Sequence, residues 1–312
     1  MTTLLITAIG GDIALAVASI VREKFPGWRV LGTDIHAQHG AGLFVDNWFI
    51  APRASSPEYG SWLADLVRRE GIDICIPISD AELSYIAHAG LGEVAGARLV
   101  MPNARSIEVG GDKLTTARFL ATAGLPSPWT IPVADSQPST PFPCIFKPRQ
   151  GAGSKGVFIC NTFDEANFYA KQYPQSVLQE LLLPESQEVT CAIYRTKDGR
   201  IAILQLLRKL MGGTTGWAKV IDDPEVRWQC ERLAEALDLR GSINAQLRIT
   251  NDGPRIFEIN ARFSSTVLMR HLMGYQDVVW ALKELGGEPV EIGIPRVGTV
   301  AVRTRGAHLL RS

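Results

Sequence analysis

The chain has 312 residues, 46% of them hydrophobic and 21% charged, a size and composition that suit about two domains with a sizeable buried core. Its 32 basic and 32 acidic residues cancel, so there is no broad positive field for a nucleic-acid backbone or an anionic membrane surface. No apolar run approaches the ~20 residues that cross a bilayer, and the first residues lack a basic leader and break at Gly10-Gly11-Asp12, so a cytoplasmic chain without a signal peptide is expected.

In chain order, residues 4–8 read as a buried strand, Gly10-Gly11-Asp12 as a turn and residues 14–24 as an amphipathic helix. A short strand at 29–32 ends in Thr33-Asp34. A helix at 59–70, a strand at 72–77, a helix at 81–88 and a strand at 98–101 continue the alternation, which predicts a parallel, doubly wound sheet. Asp80 and Glu82 fall at the C-terminal end of a strand, where open α/β sheets take ligands. They are candidate substrate contacts, with Asp80 as helix cap the plainer alternative. The pattern then changes. A helix over 112–123 stops at Gly124 with Pro126 and Pro128 beyond, and 133–143 is a Pro/Ser/Thr loop. Strands at 144–147, 157–160, 177–180 and 188–194 predict a separate α+β unit. Cys75, Cys144, Cys160, Cys191 and Cys230 form no C-x-x-C pair and mostly sit in apolar runs; buried, reduced thiols are expected, and no zinc site.

The most informative stretch runs from Ser242 to Arg262. Two alternating segments flank Asn251-Asp252-Gly253 and predict a β-hairpin. A three-residue loop there sets Gln246 opposite Glu258 and Asn244 opposite Asn260. One face then carries Asn244, Gln246, Arg248, Glu258, Asn260 and Arg262; the other carries Ile243, Ala245, Leu247, Ile249, Phe257, Ile259 and Ala261, a separation that a one-residue slip would destroy. Glu258 and Asn260 should emerge about 6.6 Å apart along the strand, with Gln246 about 5 Å across the ladder. One carboxylate beside amide oxygens suits a hard cation such as Mg²⁺, and Arg262 offers a bidentate fork to a phosphate.

Between two strands, Lys147 leads into Gly151, Gly153, Ser154 and Gly156, a small-residue loop whose N–H groups can approach an anion. Gly151, Gly153 and Gly156 match G-x-G-x-x-G in form, but a strand follows where a dinucleotide site needs a helix. Val157 stands where a Walker lysine belongs, and kinase H-R-D and D-F-G motifs are absent. The chain has nine lysines against 23 arginines, so Lys147 beside the loop and Lys113 at a helix start, where it opposes the dipole, are candidate anion ligands.

Taken together these residues resemble the ATP-grasp superfamily, and within it the carbamoyl-phosphate-synthetase large-subunit-like branch, as a single grasp unit covering nearly the whole chain. The resemblance implies a Rossmann-like pre-ATP-grasp domain over 1–107, a lid subdomain over 108–180 and a C-terminal subdomain with the metal-binding hairpin over 181–312. It implies that Glu258 bridges two Mg²⁺ (or Mn²⁺) ions, Asn260 holds the second and Gln246 assists the first, while Arg262 contacts the γ-phosphate of ATP. Lys113 and Lys147 would bind phosphates, Gly151, Gly153, Ser154 and Gly156 would form the lid, and Gln179, Glu180, Leu181 and Leu182 the adenine hinge. Glu188 would take the ribose, with Glu185 its rival because the family's glycine between hinge and ribose acid is missing; Ala261 replaces a frequent proline. The implied activity is ATP- and Mg-dependent ligation of a small-molecule carboxylate to an amine with release of ADP and phosphate; a homodimer is compatible with it. The alternatives are a catalytically silent nucleotide-binding protein and an NAD oxidoreductase with Asp34 as its ribose acid.

Overall fold

The N-terminal residues build an open sheet from β1 (Thr3–Ile6), β2 (Arg29–Asp34), β3 (Asn47–Ile50), β4 (Ile74–Ile76), β5 (Glu93–Val94) and β6 (Ala97–Leu99), in the order β3-β2-β1-β4-β6-β5. All pairings are parallel except β5 with β6. The computed structural model describes residues 1–151, 153 and 155–304. Leu4, Leu5 and Ile6 are wholly buried, as a central parallel strand covered on both faces must be. Helices α1 (Asp12–Lys24), α2 (Tyr59–Glu70) and α3 (Asp80–His88) are the crossovers; α2 ends at Gly71, whose φ of 62° forms a left-handed C-cap. The half-exposed edge strand β3 carries too little alternation to be read from sequence. The cap of α3 is Ser79, whose hydroxyl accepts from Glu82 N; Asp80 is the first helical residue and its carboxylate goes elsewhere.

Helix α4 (Ala104–Gly111) abuts α5 (Lys113–Thr122). Asp112, with φ −140°, breaks the two apart and caps α5 by accepting from Leu114 N and Thr115 N. A second sheet follows, from β7 (Thr130–Pro132), β8 (Cys144–Pro148), β9 (Phe158–Cys160) and β10 (Ser176–Glu180) in the antiparallel order β7-β10-β8-β9, backed by α6 (Phe163–Gln172). Its small core centres on Phe146, with Phe158 and Tyr169 stacked at 3.9 Å between ring centroids.

The third sheet contains β11 (Glu188–Arg195), β12 (Ile201–Met211), β13 (Thr214–Ile221), β14 (Gly241–Thr250), β15 (Gly253–Asn260) and β16 (Val300–Val302), antiparallel in the order β15-β14-β11-β12-β13-β16. One face packs Val189, Cys191, Ile193, Ile243, Ala245 and Leu247 against α4, α5 and α7 (Pro224–Ala236). The other buries Tyr194, Leu204, Leu206 and Val220 against α8 (Val267–Leu272) and α9 (Asp277–Gly286). Glu188, Thr190, Asn244 and Gln246 continue that second face past the helices and open onto a cavity. Helix α1 shares a core with Val267, Val278 and Val279, so the first sheet docks on the third through apolar contact. All five cysteines are free and buried.

Candidate active site

The hairpin β14–β15 brings Asn244 opposite Asn260 and Gln246 opposite Glu258, the pairing expected from the two faces. The cause of that register differs. Thr250 pairs with Gly253 and Leu247 with Ile256, and the register shifts between Gln246 and Leu247. The turn is therefore the two residues Asn251-Asp252, and a β-bulge at Phe257 supplies the extra residue. The bulge changes the faces as well. Ile256, not Phe257, is the fully buried member of the core, and Phe257 lines the cavity. Its ring lies 5.7 Å from Lys147 Nζ and 6.0 Å from the Arg248 guanidinium carbon, within cation–π range.

The cavity, about 500 Å³, runs between the second and third sheets and reaches the first turn of α1 at Asp12 and Ile13. Gln246, Glu258, Asn260 and Arg262 line it from the hairpin, and Lys147 and Lys113 from across the cleft. Lys147 is 4% exposed on β8, and its ammonium has one hydrogen-bond partner among the described residues, the Phe257 carbonyl at 3.3 Å. Burial pushes its pKa down to about 8, against the pull of Glu258 upward and with a smaller downward push from Lys113. An ammonium carries three donors, so two remain for an anion. Lys113 Nζ donates to Gly151 O at 3.0 Å, and its backbone N–H to Arg149 O at 2.9 Å, which fixes the start of α5 to the glycine loop.

Oxygen donors converge on the hairpin face. Asn260 Nδ2 donates to Glu258 Oε1 at 3.1 Å, Asn260 Oδ1 accepts from Arg262 Nη2 at 3.4 Å, and Gln246 Oε1 accepts from Arg208 Nη2 at 2.9 Å. A carbonyl oxygen has two lone pairs, so both amides keep one for a cation. With the carboxylate this donor set fits Mg²⁺ or Mn²⁺ completed by phosphate oxygens and water. Among the described residues no group of three or more His, Cys, Asp and Glu could hold a metal by itself. Arg262 departs from expectation: Nε donates to Asp80 Oδ1 at 2.7 Å and Nη2 reaches Asp80 Oδ2 at 3.4 Å. The forked edge meant for phosphate is turned toward Asp80.

At the other end, Glu188 lines the cavity, whereas Glu185 sits in a short 3₁₀ turn outside it. Both Glu188 oxygens are held: Arg208 donates to Oε1 from Nε at 2.9 Å and Nη2 at 2.6 Å, and Arg248 Nη2 donates to Oε2 at 2.5 Å. Arg248 also donates to the Leu182 carbonyl at 2.6 Å. Glu180 pairs with Arg255 at 2.7 Å, and Gln179 Nε2 donates to Thr130 Oγ1 at 2.9 Å. Gln179, Glu180 and Leu182 line the cavity and Leu181 does not.

Gly151, Gly153 and Gly156 take φ values of 109°, 72° and 72° in the connection between antiparallel β8 and β9, a backbone that only glycine adopts without strain. Ser154 lies outside the described residues. The G-x-G-x-x-G pattern thus feeds a strand, where a dinucleotide site needs a helix, and Asp34 accepts from Gly10 N at 2.8 Å and His36 N at 2.9 Å. Glu82 is buried and takes hydroxyl hydrogen bonds from Thr7, Tyr59 and Ser79 at 2.7, 2.9 and 2.6 Å, which tie α3 to the first sheet and to α2. Lys209 lies beside Trp217 and Lys219 is exposed on β13, and neither lines the cavity. Sequence reasoning gave no role to Arg248, Lys155, Phe257 or Ser264 to Thr266, all of which line it. Arg248 alone had a signal, since it stood on the polar face of the hairpin.

Six basic side chains line the same cleft as the carboxylate and amides of the hairpin, a combination chemically suited to a polyanion with a hard cation. Comparison with known proteins agrees. The ATP-grasp domain model matches residues 110–266, and a PylC-like N-terminal domain model matches residues 4–93. The chain belongs to the ATP-grasp domain family. It is 29% identical over 205 residues to the D-alanine–D-alanine ligase of Rhodococcus opacus (strain B4), 55% of each chain, and 23% identical over 157 residues to a carbamoyl-phosphate synthase of Methanobrevibacter smithii, 47% of this chain and 41% of that one. The chain thus spans about half the length of the curated relatives it matches. The fold is that of N5-carboxyaminoimidazole synthetase from Staphylococcus aureus, solved with ADP: TM-score 0.77 at 16% identity, over 95% of this chain and 80% of that one. No helix of the described residues is long and apolar enough to cross a membrane.

Proposed function

We propose that the chain is an ATP- and divalent-cation-dependent ligase that activates a small-molecule carboxylate as an acyl phosphate and joins it to an amine, releasing ADP and phosphate. The observation that carries this is the buried, under-partnered Lys147 facing Glu258, Asn260 and Gln246 across one cleft. Lys147 and Lys113 hold the phosphates, and Glu188, with Gln179, Glu180 and Leu182, borders the nucleoside end. Magnesium held by Glu258, Asn260 and Gln246 would neutralise charge on the terminal phosphates. A carboxylate oxygen attacks the γ-phosphorus, the bond to the bridging oxygen breaks and ADP leaves; the amine nitrogen then attacks the acyl carbon, phosphate departs and the nitrogen loses a proton. Arg262 steadies charge on the transferring group, so catalysis is positioning and electrostatics. The glycine loop acts as a lid that keeps water from the acyl phosphate.

In this proposal residues 1–107, 108–180 and 181–312 are the pre-grasp, lid and metal-binding units. The setting is the cytoplasm, in keeping with five free buried thiols. A silent nucleotide binder would not need the reacting end, where Arg262 and Ser264 to Thr266 continue the cavity past Asn260. A screen of carboxylate–amine pairs for phosphate release in the presence of Mg·ATP tests the assignment. Release that depends on both partners supports it, and no release with any pair despite tight Mg·ATP binding favours the silent reading.

A further inference from the structure

We propose that Asp80, on the N-terminal unit, is a positioning residue for Arg262 and through it for the γ-phosphate end of the site; the proposal rests on the nucleotide reading above. The two residues are 182 positions apart in sequence. A guanidinium has five N–H donors. In Arg262, Nε goes to Asp80 Oδ1 at 2.7 Å, Nη2 to Asp80 Oδ2 and Asn260 Oδ1 at 3.4 Å each, and Nη1 to Phe263 O at 3.2 Å. One Nη1 proton is left for the cleft, in a fixed direction.

The anchor itself is rigid. Asp80 begins α3, Ser79 caps that helix, and the buried Glu82 one turn in is tied to Thr7 of the first sheet and Tyr59 of α2. A chain of contacts therefore runs from the first sheet through Asp80 and Arg262 to Asn260 and Glu258. Side-chain exposure decides what the ion pair is for. Asp80 is 51% exposed and Arg262 12%, so water screens the pair and its worth to folding is small. What it does supply is order: it holds a rotamer-rich arginine in one geometry before the ligand arrives, so that the ligand need not meet that entropic cost.

The test compares calorimetric dissociation constants for Mg·ADP and for the Mg complex of a β,γ-imido ATP analogue, which adds only the γ-phosphate. Asp80→Asn should cut the preference for the analogue about tenfold, the scale of one charge-assisted hydrogen bond, without lowering the melting temperature. Asp80→Glu should restore most of it. Arg262→Lys should lose the same preference, and combining it with Asp80→Asn should lose little more. An unchanged preference in Asp80→Asn overturns the proposal. So does an increased one, which would mean that Asp80 competes with the phosphate, or an equal loss for both nucleotides with a lowered melting temperature, which would mean a merely structural contact. Failure of the wild-type chain to bind Mg·ADP at all would overturn the nucleotide reading, and this proposal with it.

Discussion

Lys147 links the burial of one charge to the pH range in which the site can bind a nucleotide. Its pKa is pushed from 10.5 to about 8, chiefly by burial, and a shift of that size costs the folded protein on the order of 3 kcal/mol while the group stays charged. The folded pKa lies below the unfolded one, so the unfolded chain holds more protons between pH about 8 and 10.5. This group's contribution to stability therefore rises with pH through that window, and its cost is fully present below it. Binding runs the other way. Phosphates need the ammonium, and the free site is mostly protonated at pH 7 but only about a tenth protonated at pH 9. Affinity for Mg·ADP at saturating magnesium should fall about tenfold between those values, measured by calorimetry in matched buffers. Lys147→Met should bind nucleotide weakly at every pH and yet melt higher than wild type at pH 7, because the buried charge is gone. A flat affinity profile in wild type, or a Lys147→Met variant less stable than wild type at pH 7, would refute the reasoning.

Two further outcomes follow from the hairpin. Glu258→Gln keeps the side chain's shape and one oxygen but loses the charge that a divalent cation needs; turnover in the ligase assay should disappear while circular dichroism and melting remain near wild type, and activity with normal magnesium dependence would remove Glu258 from the metal site. Gly110, on α4, lies against the strand that carries the site: a Cβ there would meet Ile259 O at 3.0 Å and Ala261 N at 3.2 Å. Gly110→Val should cost about 1–3 kcal/mol in denaturant unfolding and weaken Mg·ADP binding by displacing Asn260, whereas wild-type values for both would show that the contact is slack.

The N-terminal sheet and the polar face of the hairpin were legible because both rest on period. Buried parallel strands read as continuous apolar runs, and a two-residue period separates Gln246, Glu258 and Asn260 from Ile243, Ala245 and Leu247. The bulge at Phe257 was not legible. A three-residue loop and a two-residue turn with a bulge produce the same inner register, and only the backbone tells them apart. The partner of Asp80 was not legible for a related reason: a strand followed by Ser79-Asp80 offers two plausible caps, of which the fold uses Ser79, and the ion pair of Asp80 comes from Arg262, far along the chain. The arginine clamp on Glu188 had the same kind of cause, since Arg208 and Arg248 reach it from the two strands flanking β11. Local pattern locates a side chain on a face; it does not say what crosses the cleft to meet it.

Thermal melting with Mg·ADP set against NAD at equal concentration tests the central claim most directly. A ligand that binds only the folded chain stabilises it by about 2.7 kcal/mol at a hundred times its dissociation constant, so Mg·ADP should raise the melting temperature by several degrees. Removal of magnesium with a chelator should take most of that away, and NAD should leave the transition where it was. Strong stabilisation by NAD with none by Mg·ADP would contradict the reading of Lys113, Lys147 and Glu258 as one nucleotide site.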